Sequence, residues 1–576
     1  MSYILGLNSA YHDSSACLVE DGRVVAMAEQ ERFDKRIKHA KQARVGNPDE
    51  LPEQAIEHCL EMAGITLSDI ATIGYSLNPW IRVWKNIKHE HPYKVTPGDF
   101  GSKEGEELFY EKNLEVERKL RKRGFKGDFL YLDHHSCHAA SSFFVSGFDE
   151  AAVLVIDGIG EFESTTLYQG RGNTLNKLGG IVFPNSLGFL WEKICKYLGF
   201  SEYDACKVMG LASYGNPDVH RNQLRSFVHV QEDGSFTIDD RITQFRNEDY
   251  AKLEELFGFE KRGNPVRALD GETKKYADVA AALQELTEEV VIKLARWLKR
   301  KTGAKQLCLS GGVALNCVAN GKLLEERIFD DVFIQPAAHD AGTALGAAFY
   351  VWNQVQENPR SYVFNSPFLS AEFSDEEIRA ALEKSGLTYE KSDAIEIKTA
   401  ELLNDGNVIA WFRGAMEIGP RALGNRSLLY DPRRTNAVAL LNEKVKHREP
   451  FRPFCPSVLE EKASEWFVIS GNPTPAKYML MACKVREEKR SKIPAVTHVD
   501  GTARIQTVER KVNPSYYRLL QEFEKLTGVP VLLNTSFNDQ EPIVCTPQDA
   551  INTFLKTGID YLIMGDYIVT RGEQRE

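Results

Sequence analysis

Residues 5–16 read LGLNSAYHDSSA, residues 155–161 read VIDGIGE and residues 309–316 read LSGGVALN. Each of these three turns follows an apolar, strand-like run and is rich in glycine or other small residues. Such turns expose backbone N–H groups with no side chain in the way, which suits phosphate oxygens. A single turn of this kind usually only reverses the chain, but three in this order predict a nucleotide site. The candidate contacts are Gly158, Gly160, Gly311 and Gly312.

The segments around these turns alternate between strands and helices. Tyr3–Asn8, Ser15–Glu20 and Arg23–Glu29 are β-prone, and residues 279–297 carry apolar side chains at helical spacing. The three turns resemble the two phosphate loops and the adenosine loop of the actin/Hsp70/sugar-kinase superfamily. We therefore expect a mixed α/β (α+β) protein whose first half has that fold.

The chain has 576 residues, which is too long for one hydrophobic core. Residues 356–370 are polar and proline-containing and are the candidate linker. The predicted domains are residues 1–355 and 371–576.

Charge and composition exclude several classes of protein. The net charge is −11, from 71 basic and 82 acidic residues, whereas a general nucleic-acid binder usually has a basic surplus. There is no run of about 18 apolar residues to span a membrane, and the N-terminus lacks the features of a signal peptide. The ten cysteines form no CxxC pair, which favours reduced thiols in the cytoplasm.

Residues 133–138 read DHHSCH. His134 and His138 are four apart, so on a helix they share one face and can hold one metal ion. Alternatively, they are surface histidines or core histidines with backbone partners. Asp157 and Asp340 follow strand-like runs and favour the metal, because two imidazoles and two carboxylates suit iron, manganese or zinc better than calcium.

His12 lies in the first turn. A neutral imidazole there can take a proton from an attacking hydroxyl, although a role in stabilising the loop is equally compatible with the sequence. The basic run at residues 31–39, ERFDKRIKH, is typical of a solvated face, but its position makes one of its lysines a candidate nucleotide contact.

Residues 413–452 carry nine Arg or Lys against four Asp or Glu. A local basic surplus in an acidic chain predicts a pocket for a small anion. Arginine binds phosphate or carboxylate through two parallel donors, and prolines beside Arg421 and Arg452 stiffen their backbone. An interdomain salt-bridge network is the alternative. Arg504 and the loop at residues 533–538, LNTSFN, are candidates to complete the pocket.

At this point the chain resembles the NodU/CmcH family of carbamoyltransferases, over essentially its whole length. The resemblance depends on specific motifs in both halves. They are AYHDSSA, ERFDKRIKH, HHSCH, DGIGE, KVMGLASYG, SGGVALN and HDAGTALGAA in the first half, and EIGPRALGNRSLL, KHREPFRPF and LLNTSFN in the second.

The resemblance implies an ATP-dependent O-carbamoyltransferase with two sites. A C-terminal YrdC-like domain would hydrolyse carbamoyl phosphate and adenylate the carbamate. A first domain like the tRNA threonylcarbamoyl-transfer ATPase would pass the carbamoyl group to a hydroxyl of a small natural product, such as an antibiotic. The cofactors would be ATP, Mg²⁺ and a divalent metal, with iron favoured over manganese or zinc. The residues implied are His134, His138, Asp157 and Asp340 for the metal, Lys38, Gly311 and Asn316 for nucleotide, Arg421, Lys446, Arg452, Arg504 and Ser536 for the adenylate pocket, and His12 for transfer. Asn534 of the LNTSFN loop is a further candidate nucleotide contact.

Three alternatives are compatible with parts of the sequence. An RNA-modifying threonylcarbamoyl transferase would share both folds, but the overall acidity argues against it. A hydrogenase-maturation enzyme would be expected to carry paired cysteines. A non-enzymatic ATP-binding regulator leaves the arginine-rich segment without a task. The acceptor is not evident from the sequence, although aromatic residues within 78–105 are candidates to shape its pocket.

Overall fold

A computed structural model describes residues 2–34, 38–267 and 269–571, which form two compact units. The first unit comprises residues 2–34 and 39–364, and the second comprises Lys38 and residues 365–571. Both mix helices with sheets, so the predicted α/β class is confirmed. The domain limits predicted above stay a prediction.

The described residues of the first unit form two five-stranded sheets and one two-stranded sheet, and their strands alternate with helices. Its strands are β1 (Tyr3–Asn8), β2 (Ser15–Glu20), β3 (Arg23–Glu29), β4 (Ile70–Tyr75), β5 (Asp128–Tyr131), β6 (Glu150–Ile156), β7 (Glu163–Arg171), β8 (Thr174–Val182), β9 (Val228–Val230), β10 (Phe236–Ile238), β11 (Gln306–Ser310) and β12 (Asp331–Ile334). Its helices are α1 (Gln30–Phe33), α2 (Glu53–Ala63), α3 (Pro79–Ile87), α4 (Lys103–Lys122), α5 (His134–Phe143), α6 (Leu187–Tyr197), α7 (Ala205–Ala212), α8 (Arg221–Arg225), α9 (Asp240–Thr243), α10 (Ala251–Phe257), α11 (Lys274–Thr302), α12 (Cys317–Glu325) and α13 (Gly342–Phe349).

The two five-stranded sheets of the first unit have the same topology. The first has the order β3-β2-β1-β4-β5 and the second has the order β8-β7-β6-β11-β12. In each sheet, the first three strands pair antiparallel to one another. The last two strands run parallel to the central strand. The turn after β1 and the turn after β6 therefore occupy corresponding positions. This duplication agrees with the predicted actin/Hsp70-like fold.

Helix α13 packs against both β1 and α5 at unusually close range. A Cβ added at Gly6 would collide with the carbonyl of Ala344, and a Cβ added at Gly346 would collide with the carbonyl of Cys137. Glycine is therefore required at both crossings. The close packing brings α5, which carries the predicted metal ligands His134 and His138, near the loop that precedes α13. That loop carries a third predicted ligand, Asp340.

The second unit is built on an eight-stranded mixed sheet. Its order is β13-β23-β22-β14-β15-β21-β16-β20, and β17, β18 and β19 form a separate small sheet. Its strands are β13 (Thr388–Lys391), β14 (Ile409–Phe412), β15 (Arg426–Tyr430), β16 (Cys455–Leu459), β17 (Phe467–Val468), β18 (Ala482–Val485), β19 (Thr502–Arg504), β20 (Gln506–Val508), β21 (Val531–Ser536), β22 (Tyr561–Met564) and β23 (Tyr567–Thr570). Its helices are α14 (Asp375–Ser385), α15 (Ile395–Asn404), α16 (Ala437–Leu441), α17 (Ala463–Trp466), α18 (Glu487–Arg490), α19 (Pro514–Thr527) and α20 (Pro547–Lys556).

The central strands of this sheet are fully buried and lead into polar turns. Arg421 lies in the turn between β14 and β15, and Ser536 ends β21. A short π-helical turn, Asn442–Lys446, ends at Lys446, which is predicted to belong to the adenylate pocket. Across the described parts of both units, none of the helices combines the length and the apolar character needed to cross a membrane.

Candidate active site

Four buried side chains of the first unit converge on one point. His134 and His138 lie one turn apart on α5, Asp157 follows β6, and Asp340 lies in the loop before α13. Their ligand atoms all lie within 4.8 Å of one another. Each imidazole Nε2 is 3.6 to 3.7 Å from an oxygen of each carboxylate. The fold therefore brings together the four residues expected to hold the metal.

Backbone groups orient these ligands. The Nδ1 of His134 lies 2.9 Å from the carbonyl oxygen of Ser76, and this contact turns Nε2 toward the carboxylates of Asp157 and Asp340. Gly312 N–H donates to Oδ1 of Asp157 at 2.8 Å. The side chain of Asp133 caps the start of α5 by accepting from the N–H of Ser136 at 2.7 Å.

The donor set fits a divalent transition metal. Nε2 of His134 and Nε2 of His138 are buried and have no hydrogen-bond partner, and buried polar atoms normally have one. Burial alone would raise the pKa of Asp157, but the two imidazoles outweigh it and hold that pKa well below its ordinary value. Two imidazole nitrogens and two ionised carboxylates match iron, manganese or zinc better than a hard cation such as calcium.

His12 forms a close pair with Asp13 in the turn after β1. Its Nδ1 lies 2.7 Å from Oδ2 of Asp13, so the other ring nitrogen is left for chemistry. Burial alone would lower the pKa of His12, but the carboxylates of Asp340 and Asp13 outweigh it and raise the pKa to about 10. This dependence on Asp340 couples His12 electrostatically to the metal ligands.

Asp13 holds more than one imidazole, a feature that sequence reasoning missed. Nδ1 of His39 lies 2.8 Å from Oδ1 of Asp13, and Nε2 of His339 lies 3.9 Å from the same oxygen. The ring of His39 stacks on Tyr203 at 4.7 Å between centroids. Both histidines belong to motifs noted in the sequence, but only the fold shows that they share one carboxylate.

The glycines of the second and third turns allow close backbone packing. Gly311 has φ of +89°, and a Cβ there would collide with the carbonyl of Ile156. A Cβ at Gly160 would lie 2.9 Å from the ring of His135, and a Cβ at Gly158 would lie 3.3 Å from a ring carbon of Phe189. Gly311 therefore requires glycine, while the glycines of the second turn pack closely against aromatic rings. Contact of both turns with nucleotide stays a prediction.

Two further predicted nucleotide contacts have defined surroundings. The side chain of Asn316 accepts from Ala319 N–H at 3.0 Å as the cap of α12 and forms an amide pair with Gln284. Lys38 groups with the second unit, and its charge contributes to lowering the pKa of Lys446. Lys35 of the same basic run lies outside the described residues.

Lys446 is the centre of the predicted anion pocket in the second unit. Its buried Nζ donates to the carbonyls of Ser536 and Asn538 at 2.6 and 2.8 Å and to Oδ1 of Asn538 at 2.7 Å. It also lies 3.3 Å from Oγ of Ser536. Burial, followed by the charge of Arg448, lowers the pKa of Lys446 well below its ordinary value.

The three predicted arginines of the second unit have different local surroundings. Nη1 of Arg452 lies 3.5 Å from the carboxylate of Glu449. Nε of Arg504 lies 3.1 Å from Sγ of Cys455, which begins β16. Arg421 is partly buried in its turn. Arg452 thus has a nearby carboxylate, while Arg504 lies against the strand next to β21.

The side chain of Asn534 forms hydrogen bonds that link separate segments of the second unit. Its Nδ2 donates to the carbonyl of Ala422 at 3.2 Å, to Oγ of Ser457 at 3.1 Å and to Oε1 of Gln506 at 2.9 Å. The amide therefore ties the turn that carries Arg421 to β21. Its predicted contact with nucleotide stays a prediction.

Comparison with known proteins identifies the family. The family described as "Carbamoyltransferase N-terminus" matches residues 3–349, and "Carbamoyltransferase C-terminus" matches residues 400–571. The chain belongs to the carbamoyltransferase family. This carbamoyltransferase is 40% identical over 574 residues to nodulation protein NolNO of Sinorhizobium fredii, covering 98% of this chain and 80% of that protein.

Two other relatives span most of the carbamoyltransferase. It is 42% identical over 447 residues to nodulation protein NolO of Bradyrhizobium diazoefficiens, covering 76% of this chain and 79% of that protein. It is 39% identical over 619 residues to the uncharacterized protein sll1178 of Synechocystis, covering 100% of this chain and 97% of that protein. The predicted family and its enzymatic character are therefore confirmed, and a non-enzymatic regulator is set aside.

Two glutamates, Glu161 that is buried and Glu192 that is partly buried, lie beside the histidine–aspartate cluster of the carbamoyltransferase. Glu161 accepts from His134 N–H at 3.0 Å, and burial raises its pKa to about 8. Burial also raises the pKa of Glu192 to about 7, and its Oε1 lies 3.6 Å from a Cβ placed on Gly158. Glu161 belongs to the DGIGE turn, but nothing in the sequence around Glu192 distinguishes it.

Proposed function

We propose that this carbamoyltransferase uses carbamoyl phosphate and ATP to carbamoylate a hydroxyl group of a small molecule. The second unit would make an activated carbamoyl donor, and the first unit would transfer it. The family assignment supports the carbamoyl chemistry. The observation that carries the division of labour is the presence of an acidic metal-type centre in one unit and a buried cationic centre in the other.

In the proposed first stage, water cleaves carbamoyl phosphate to carbamate and inorganic phosphate. A carbamate oxygen then attacks the α-phosphorus of ATP, the bond to the leaving pyrophosphate breaks, and carbamoyl-AMP forms. The YrdC-like second unit would host both steps. Lys446, Arg421, Arg452 and Arg504 would bind the phosphates, because guanidinium and ammonium groups stabilise charge on phosphoryl oxygens, and Ser536 would contribute a hydroxyl donor.

In the proposed second stage, the acceptor oxygen attacks the carbonyl carbon of carbamoyl-AMP. The carbonyl–oxygen bond to AMP breaks, so that a carbamate ester and AMP are formed, and His12 takes the proton of the hydroxyl. Asp13 would hold His12 in the required tautomer. The glycine turns after β6 and β11 would cradle phosphate oxygens with backbone N–H groups.

His134, His138, Asp157 and Asp340 would hold the divalent metal, with iron favoured and manganese or zinc as alternatives. When bound, it would supply Lewis-acid stabilisation of phosphate charge. A cation there would also offset the carboxylate charge that raises the pKa of His12, which favours the basic form of the imidazole near neutral pH. Mg²⁺ would accompany ATP in the adenylation step.

The acceptor is proposed to be a small natural product. Carbamoylation of RNA is the alternative that shares both folds, but the net charge of −11 does not favour a polyanionic acceptor. The ten cysteines without a CxxC pair favour a reducing, cytoplasmic location.

Pyrophosphate release from ATP tests the proposal. We expect release only when carbamoyl phosphate is present. Arg421→Ala should abolish release, whereas His12→Asn should retain it and block transfer of label from carbamoyl phosphate to an acceptor. Loss of the same partial reaction in both variants, or release that does not need carbamoyl phosphate, contradicts the two-site scheme.

A further inference from the structure

Arg246, which follows α9 in the first unit, carries a guanidinium group with unused donors. Its Nε and Nη2 are buried and have no hydrogen-bond partner. Its Cζ lies 4.8 to 5.7 Å from the ring centroids of Phe100, Phe183 and Phe189. Aromatic faces stabilise a cation only partly when it has lost its water, so this group calls for an anionic partner.

The two unused nitrogens form one edge of the guanidinium, with two parallel donors. Elsewhere in the unit, Arg221 uses the same edge to bind both oxygens of Glu285, each at 2.6 Å. Glu106, whose charge acts on Arg246, is paired with Arg82 at 3.0 Å. The free edge of Arg246 therefore has the geometry that binds a carboxylate or phosphate through two oxygens.

Two imidazoles beside Arg246 add further unused polar atoms. Nε2 of His89 and Nδ1 of His91 are buried without a partner, and both rings lie edge-on to Phe183, at 5.2 and 5.7 Å between centroids. Burial, followed by the charges of His89 and Arg246, lowers the pKa of His91 to about 4. The second imidazole is therefore neutral near pH 7, and Arg246 supplies the positive charge.

This group of side chains adjoins the proposed transfer centre. The ring of Phe189, which packs against Arg246, lies 3.3 Å from a Cβ placed on Gly158. Gly158 directly follows Asp157, one of the four predicted metal ligands. Phe189 and Gly158 therefore connect this group of side chains to the metal-type centre.

We propose that Arg246, His89, His91, Phe100, Phe183 and Phe189 form an acceptor pocket for an oxyanion, a carboxylate or phosphate next to an apolar group. The use of this pocket by the acceptor rests on the proposed function, but the binding of an oxyanion does not. Carbamoyl acceptors of this enzyme then carry a negative charge in addition to the hydroxyl that reacts.

Equilibrium binding of benzoate by calorimetry tests the pocket directly, because benzoate joins a carboxylate to an apolar ring. We expect binding to the full-length, metal-loaded protein to weaken at least tenfold in Arg246→Met, which keeps the packing on the phenylalanines. Arg246→Lys keeps the charge but loses the edge with two donors, so its affinity for benzoate should lie between those of the wild type and Arg246→Met. Arg241→Met is the matched control, because Arg241 is exposed on α9 and paired with Asp239 at 2.6 Å.

Benzyl alcohol, inorganic phosphate and pyrophosphate release complete the test. Benzyl alcohol should bind all variants equally weakly, and carbamoyl phosphate-dependent pyrophosphate release should be unchanged in Arg246→Met. Benzoate binding that is absent from the wild type, or that is equal in Arg246→Met and the wild type, overturns the proposal. Binding of inorganic phosphate through Arg246 without benzoate assigns the site to a free anion and overturns its role in acceptor binding.

Discussion

The two units concentrate opposite kinds of polar group. In the first, His134, His138, Asp157 and Asp340 present ring nitrogens and carboxylate oxygens, which are all electron-pair donors to a cation. In the second, the buried Nζ of Lys446 donates to the carbonyls of Ser536 and Asn538. The first centre gathers ligand atoms for a cation, whereas the second gathers basic side chains around a buried lysine whose pKa is lowered well below its ordinary value.

This difference shows why one centre is more sensitive to a single substitution. The four ligands share one small volume, so the loss of one removes a quarter of the donor set and leaves the remaining carboxylate charge poorly balanced. Cations in the second unit come from several separate elements, so the effect of losing one is partly shared by the others. The following predictions test this contrast in order of decreasing effect.

The largest effect is expected for His138→Ala. Carbamoyl transfer should fall on the order of a thousandfold or more, because even the loss of an outer partner of a metal ligand typically costs about 10- to 100-fold. Metal content measured by mass spectrometry should fall in parallel. His135→Gln is the matched control, because His135 is buried on the same helix but bonds to Thr166 at 3.0 Å. Equal metal loss in both variants would contradict the four-ligand assignment.

Lys446→Met should lower carbamoyl phosphate-dependent pyrophosphate release by about 100- to 1000-fold, the range found when one donor to a developing oxyanion is removed. Lys444→Met serves as the control, because Lys444 is two residues away and forms a partly exposed ion pair with Asp560 at 2.9 Å. It should change the rate less than about threefold. Similar losses in the two variants would show that local structure, rather than the buried ammonium, sets the rate.

Asp13→Asn should lower transfer by roughly 10- to 100-fold and leave pyrophosphate release unchanged, because Asp13 acts by positioning His12. Asparagine tolerates the φ of +50° at this position, so the turn should be retained. Since Asp13 helps to raise the pKa of His12, the limb of the kcat/KM profile that depends on deprotonation of His12 should move to lower pH. A lower rate with an unmoved limb would contradict the positioning role.

Much of the first unit is predictable from the sequence because its signals are local. The strands Tyr3–Asn8, Ser15–Glu20 and Arg23–Glu29 follow from β-prone runs in the sequence, and they form as predicted. His134 and His138 follow from the periodicity of one helix. Asp340 is 183 positions from Asp157, and only its place after a strand marked it as a ligand.

The remaining features depend on contacts between distant segments. His39 meets Asp13 across 26 positions, and the buried edge of Arg246 is defined by phenylalanines from three separate segments. Neither has a spacing that a periodic pattern can reveal. Asn316 shows the opposite problem, because its motif predicts a nucleotide contact while its side chain caps α12.

The smallest effect is expected for Asn316→Ala, and it tests whether the turns of the first unit act through backbone or side chains. Loss of the cap should destabilise the protein by about 1 kcal/mol, as should Ser374→Ala, which removes the corresponding cap of α14 in the second unit. Chemical denaturation and ATP binding by calorimetry would be measured for both. Because the Asn316 amide is already engaged by Ala319 and Gln284, ATP affinity should change less than twofold in either variant. A selective tenfold loss in Asn316→Ala would instead show that this side chain leaves its cap to bind nucleotide, as Lys446 is proposed to bind phosphate in the second unit.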